Sequence, residues 1–190
     1  MHQELDQIQE QLGGEGHSGH LREQTKYLTE VTRTATTYCE IGFNSGHSAA
    51  TVLSNNPLVN VISFDIGGKN SKAADALLRE QYGDRLKVHW GDSTKTLPKI
   101  EEGLQCDVFF VDGGHSAQVA RADLTNIKKH MKSDGLVIMD DVYCDAKYCR
   151  GPIAAWHADT TSGIIKETYR WSNGSHRGFA AGKFNTDKRA

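Results

Sequence analysis

Acidic residues recur in this chain at the ends of short apolar runs, and several are flanked by glycine. Glu40 opens the segment Glu40-Ile41-Gly42-Phe43-Asn44-Ser45-Gly46. Asp65 closes a second run, and Gly91-Asp92-Ser93 follows a third. Asp112-Gly113-Gly114-His115 follows the fourth, and the pair Asp140-Asp141 the fifth. Carboxylates accept hydrogen bonds from sugar hydroxyls and hold hard divalent cations. Histidine, with an ordinary pKa near 6.5, keeps a neutral fraction able to take a proton at neutral pH. Glycines such as Gly42 and Gly46 let a backbone approach a ligand closely. Single acids at strand ends are common as helix caps. Five in succession point to a binding edge.

The elements that must position these groups alternate regularly. Leu21, Leu28, Val31 and Ala35 place one apolar stripe on a first helix. Strands are expected at Thr37–Phe43, Val59–Asp65, Leu86–Trp90, Cys106–Asp112 and Leu136–Asp140. Between them fall helices at Gly46–Ser54, Ser71–Tyr82 (closed by Gly83), a short one near Ser93–Glu102, and Ala117–Met131. A further helix is expected around Pro152–Ala158. Continuous apolar runs such as Val108-Phe109-Phe110-Val111 and Leu136-Val137-Ile138-Met139 fit parallel strands buried on both faces. Ile164–Trp171 and Gly178–Phe184, joined through Ser172-Asn173-Gly174-Ser175, read as a β-hairpin with Asn-Gly as its turn signal.

The expected fold is therefore α/β and Rossmann-like: a seven-stranded, mostly parallel sheet with a C-terminal antiparallel hairpin and helices on both faces. Ligands of such sheets bind outside the carboxyl ends of the strands, where the acids fall. Asp65 is placed to accept from ribose hydroxyls, or to cap the following helix. Asp92 and Ser93 reach the edge of an adenine, or cap the helix at Ser93. The glycine loop does not match G-x-G-x-x-G, which disfavours a nicotinamide dinucleotide.

Glu40-x-Gly42-x-x-x-Gly46, Asp65 and Gly91-Asp92-Ser93, in this order, resemble the cofactor-binding motifs of class I S-adenosylmethionine-dependent methyltransferases. The resemblance covers about Thr37 to Phe184. It implies that Glu40 and the loop Gly42, Phe43, Asn44, Ser45 and Gly46 meet the methionine part of the cofactor, Asp65 the ribose, and Asp92 with Ser93 the adenine. Asp112, at the next strand end, belongs to the same cofactor-facing set. Asp112-Gly113-Gly114-His115 followed by Asp140-Asp141 is similar to the D-G-x-H group, related to metal-dependent sugar and macrolide O-methyltransferases. Catechol O-methyltransferases share the layout with Asp-x-x-Lys and Asp-Asn. That similarity implies magnesium held by Asp112, Asp140 and Asp141, with His115 as the general base. Coordination of a substrate hydroxyl would lower its pKa, and transfer from a sulfonium needs mainly positioning and electrostatics.

The expected activity is thus S-adenosylmethionine-dependent, magnesium-assisted O-methylation of a small-molecule hydroxyl. Two alternatives stand beside it: a metal-independent small-molecule methyltransferase, and a non-catalytic methyltransferase-like binding protein. The chain has 190 residues, 37% hydrophobic and 24% charged, with a net charge of −2. Such near balance argues against nucleic-acid or membrane binding by bulk charge. With no long apolar run and no signal peptide, the expected setting is cytoplasmic. Residues 1–20 read as a polar, loosely held segment, with Leu5, Ile8 and Leu12 at helical spacing before a glycine-rich hinge bearing His17 and His20. A single domain is expected over 21–190, and a homodimer is plausible by analogy. Cys39, Cys106, Cys144 and Cys149 have neither the density of a disulfide framework nor a zinc spacing, and Cys39 and Cys106 read as small buried hydrophobes. His47 reads as a solvated helix-start residue, and His89 and Trp90 as strand packing. Arg177 and His176 read as surface. Tyr143, Cys144, Tyr148 and Trp156 are candidates for a pocket wall or ordinary core.

Overall fold

The computed structural model describes residues 1–13, 21–100, 103–174 and 176–185. Contacts group the chain into two compact units, Met1–Asp92 and Ser93–Ala190. The first unit contains α1 (His2–Leu12), α2 (Arg22–Val31), β1 (Thr37–Ile41), α3 (His47–Asn55), β2 (Asn60–Asp65), α4 (Lys69–Tyr82) and β3 (Leu86–Trp90). Its strands run parallel in the order β3-β2-β1, with Glu40 opposite Ser63 and Asp65 opposite Trp90. Tyr38, Cys39, Val61 and Phe64 are fully buried, as the continuous apolar runs require. The first helix is better fixed than a loose tail. Leu5 is fully buried, so the spacing of its apolar residues reflects real packing. The hinge with His17 and His20 lies outside the described residues.

The second unit contains α5 (Ser93–Thr96), β4 (Cys106–Val111), α6 (Ala117–Ile127), β5 (Met131–Asp140), α7 (Arg150–Thr161), β6 (Ile165–Ser172) and β7 (Gly178–Phe184). Its strand order is β4-β5-β7-β6, with β4 and β5 parallel and β7 antiparallel to both neighbours. The strands of both units are parallel to their neighbours except at the C-terminal antiparallel hairpin, as expected. Several boundaries differ. The helix expected near Ser93–Glu102 stops at Thr96 and gives way to a tight turn at Leu97–Lys99, where Pro98 supplies no N–H for a longer ladder. The chain leaves α6 through another tight turn at Lys128–His130 and is already extended at Met131. A register shift between Cys106 and Val108 absorbs the Asp134-Gly135 irregularity that hid the first half of β5.

The cysteine expectation is overturned. Cys144 and Cys149 form a disulfide, because the turn at Lys147–Cys149 folds the chain back until their Cα atoms are 6.2 Å apart. Cys39 and Cys106 are fully buried, as expected, but they too are disulfide-bonded, so no cysteine is free.

One buried group makes stability depend on pH. His130 is buried, with Nε2 3.3 Å from the carbonyl oxygen of Leu97. Burial pushes its imidazole below the ordinary value, more than the Leu97 contact raises it. The unfolded chain therefore binds this proton at higher pH than the folded chain does. Its stability contribution is complete above the unfolded value, near 6.5, and is lost as pH falls toward the folded one. His89, also shifted down by burial, acts in the same direction. The thermal midpoint is expected to drop between about pH 7.5 and 5.5, and less steeply in His130→Gln; parallel slopes for the two proteins would remove His130 from this role.

Candidate active site

In the first unit the turn after β1 is a tightly specified glycine loop. Gly42 and Gly46 have φ of 94° and 76°, and Asn44 has φ of 46°. Gly42 donates its N–H to Phe64 O at 2.8 Å, and Gly46 to Phe43 O at 2.7 Å. A Cβ at Gly46 would lie 2.8 Å from Leu78 Cδ1 and 3.1 Å from Phe43 Cζ, so both conformation and space demand glycine. Phe43 and Ser45 are buried and shape the loop from within. Asn70 joins them: its Nδ2 donates to Asn44 Oδ1 at 2.7 Å and to Ser45 Oγ at 3.2 Å. Nothing in the sequence singles out Asn70, which stands in an ordinary polar helix start.

Two carboxylates anchor this loop differently. Glu40 is fully buried and accepts from Tyr38 OH at 2.9 Å, Ser48 Oγ at 2.6 Å and Ser63 Oγ at 2.7 Å. Burial raises its pKa, against the lowering effect of these three hydroxyls. Asp65 accepts Asn44 N–H at 2.9 Å on one oxygen and Gly67 N–H at 2.7 Å on the other. It does not cap α4, which starts at Lys69 behind Gly68. Trp90, at the end of β3, packs edge-on to Phe43 with Lys72 Nζ 5.9 Å from its ring. Asp92 follows Gly91 and is half-buried.

His47 departs from its sequence reading. It is buried, its Nε2 lies 3.0 Å from Asp6 Oδ1, and its ring stacks with His2. The packing of α1 takes it out of solvent.

In the second unit Ser93 donates its hydroxyl to the fully buried Asp123 at 2.7 Å. The ends of β4 and β5 form the other half of the predicted chemistry. Asp112, Gly113, Gly114 and His115 line one cleft with Asp140 and Asp141. Ligand atoms of Asp112, His115 and Asp141 lie within 4.8 Å of one another. His115 Nε2 is 2.8 Å from Asp141 Oδ2. The expected trio of Asp112, Asp140 and Asp141 is not what converges. Asp140 is buried and lies 3.5 Å from Arg177 Nη2, so Arg177 is more than a surface residue.

The segment after Asp141 is strained and pinned. Asp141 and Tyr143 both have positive φ, of 57° and 58°. Such backbone persists only where the surroundings hold it. Here Glu167 does so, accepting from Tyr143 OH at 2.6 Å and from Trp156 Nε1 at 2.7 Å, while pairing with Arg170 at 2.7 Å. Burial, then Glu167, pushes the Tyr143 phenol up to about 12. Trp156 is core, whereas Tyr148 is half-exposed, with its ring 5.5 Å from that of His115 and its hydroxyl donating to His176 O at 2.8 Å. Glu167 was invisible in the sequence, because a strand glutamate reads as solvated.

Comparison with known proteins fits this geometry. The family described as "Methyltransferase domain" matches residues 39–142, more than half of the chain. Cofactor-bound Rv0187 from MTB has a TM-score of 0.78 at 18% identity, covering 95% of this chain and 87% of its own. An O-methyltransferase from Bacillus cereus in complex with SAH has 0.74 at 17%, covering 94% and 90%. The O-methyltransferase TomG from Streptomyces achromogenes, in complex with SAM, has 0.68 at 15%, covering 95% and 88%. Among curated proteins none matches. No helix among the described residues is long and apolar enough to cross a membrane. The family match over more than half of the chain places this protein in the methyltransferase domain family, and the similar structures share its fold along almost the whole chain.

Proposed function

We propose that this chain transfers a methyl group from S-adenosylmethionine to a hydroxyl oxygen of a small molecule, with magnesium assistance, in the cytoplasm. The observation that carries the reading is the convergence of Asp112, His115 and Asp141 in one cleft at the ends of two parallel strands. Two similar structures are described as O-methyltransferases, which supports the same acceptor chemistry. Two carboxylates with open positions around them suit a hard divalent cation. Asp112 and Asp141 are the residues that would hold it, while Asp140 is engaged by Arg177. When bound, the sulfonium donor supplies the methyl group, and the cation favours the ionised acceptor oxygen.

The chain's own residues do the rest. Asp65 keeps lone pairs beyond those used by Asn44 and Gly67, and these accept from ribose hydroxyls. Glu40, consumed by three hydroxyls, fixes the strand from which the glycine loop springs, and the loop meets the methionine part of the donor. Asp92 reads the adenine, while Ser93 is tied to Asp123. Asp141 accepts from Nε2–H of His115, which orients the imidazole that takes the acceptor's proton. That same hydrogen bond favours a second reading, in which the dyad acts as base without a metal.

Titration of the protein with magnesium, read by calorimetry, separates the two. Binding in the wild type and its loss in Asp112→Asn, with unchanged affinity for S-adenosylhomocysteine, is the expected result. Equal metal affinity in both proteins would sink the metal site and leave the dyad.

A further inference from the structure

Asp141 belongs to a second cluster that methyl transfer does not use. The Sγ atoms of Cys144 and Cys149 and a carboxylate oxygen of Asp141 lie within 4.8 Å of one another, and all three residues are buried. In the structure the two sulfurs are bonded to each other and offer no ligand charge. A dithiol reductant changes the chemistry of this pocket: it supplies two electrons and two protons, the S–S bond breaks to two thiols, and the reductant becomes a disulfide. The pocket then holds two soft sulfur donors beside a carboxylate with little water to solvate them. Such a donor set selects zinc over magnesium, which prefers oxygen. The four cysteines together make no zinc pattern, but the Cys144-x4-Cys149 pair taken alone lies at the wide end of the C-x2–4-C range, so it can supply two ligands of a mixed site.

We propose that the reduced chain binds zinc through Cys144, Cys149 and Asp141. Two zinc–sulfur bonds form as the two thiol protons leave to solvent; a disulfide oxidant that takes two electrons from the pair, and is itself reduced to a dithiol, restores the S–S bond and expels the metal. The turn at Lys147–Cys149 already brings the sulfurs together, so little of the chain must move. One position remains for water or for His115, whose Nε2 lies 2.8 Å from Asp141. Cytosolic disulfides are usually transient and redox-sensing, which suits a site that exists in one thiol state only. Zinc at this site occupies Asp141, so it opposes the arrangement that serves methyl transfer. That consequence rests on the proposed function; the zinc site itself rests on the side chains alone.

The test uses the full chain, freed of metal, reduced with a phosphine and titrated with cobalt(II) as a coloured stand-in for zinc. A sulfur-to-cobalt charge-transfer band that saturates at one metal per chain and is bleached by zinc is expected. The band is absent from the oxidised wild type and from Cys144→Ser/Cys149→Ser. Should the double variant fail to fold, alkylation mapping of the reduced wild type with and without zinc decides: zinc slows alkylation of Cys144 and Cys149 and leaves that of the fully buried Cys39 and Cys106 unchanged. No band in the reduced wild type, a band that survives the double substitution, or protection of the other cysteines instead overturns the proposal. Titration of the same samples with S-adenosylhomocysteine reports the donor site separately, so failure of one reading is distinct from failure of the other.

Discussion

Replacing His115 with alanine is expected to lower turnover on the hydroxyl acceptor by roughly 10²–10⁴-fold, the usual worth of a positioned general base. The imidazole is half-exposed in the cleft and fixed at Nε2 by Asp141, while Tyr148 packs against its ring. Its removal would delete the proposed proton acceptor and leave the glycine loop, which is held by Asp65, Asn70 and backbone bonds. Affinity for S-adenosylhomocysteine should therefore stay at the wild-type level while kcat collapses. Asp141→Asn should reproduce part of the loss, because an amide neither stabilises the protonated imidazole nor holds it in the same tautomer. Near-normal turnover in His115→Ala would place the base elsewhere.

The second large effect comes from a residue that makes no side-chain contact at all. Gly151 lies in the first turn of α7, and a Cβ there would overlap the carbonyl oxygen of His115. It would also lie 2.6 Å from Ala117 N and 2.7 Å from Ser116 C. These are backbone atoms, and the turn is further fixed by Ser116, whose Oγ accepts Val119 N–H as the N-cap of α6. Alanine is ordinarily favoured over glycine in a helix by about 1 kcal/mol. Here overpacking against rigid backbone costs about 1–3 kcal/mol or more and outweighs it. Gly151→Ala should lower the urea midpoint and also reduce kcat, since either α7 or the His115 turn must move. A variant as stable as wild type or more so would mean that the two segments separate freely.

The alternation of apolar runs was enough to place all seven strands, because buried parallel strands tolerate few polar residues and hairpins need a turn. Asn173-Gly174 marked the hairpin for that reason. The start of β5 was hidden because Asp134-Gly135 looks like a turn, yet the β4 partner takes up the irregularity. Acids at strand ends were legible since topology alone brings Asp112 and Asp141 to one cleft. Their individual assignments were not. Whether Asp140 or His115 completes the cluster depends on which way each side chain leaves the strand end, and on Arg177 arriving from a distant loop. Asn70, Glu167 and Gly151 escaped notice because each acts through a long-range contact with no local signature. The Cys144–Cys149 pairing was missed for a similar reason, as spacing alone does not say that the chain folds back.

The central claim is that the glycine loop and Asp65 bind the sulfonium donor, and it is tested without any knowledge of the acceptor. Calorimetric titration of the purified chain with S-adenosylhomocysteine in magnesium buffer is expected to show micromolar binding at one site per chain, together with a raised thermal midpoint. Asp65→Ala should weaken that binding while leaving the fold intact. No heat and no thermal stabilisation in the wild type would contradict the account, and would favour a methyltransferase-like binding protein instead.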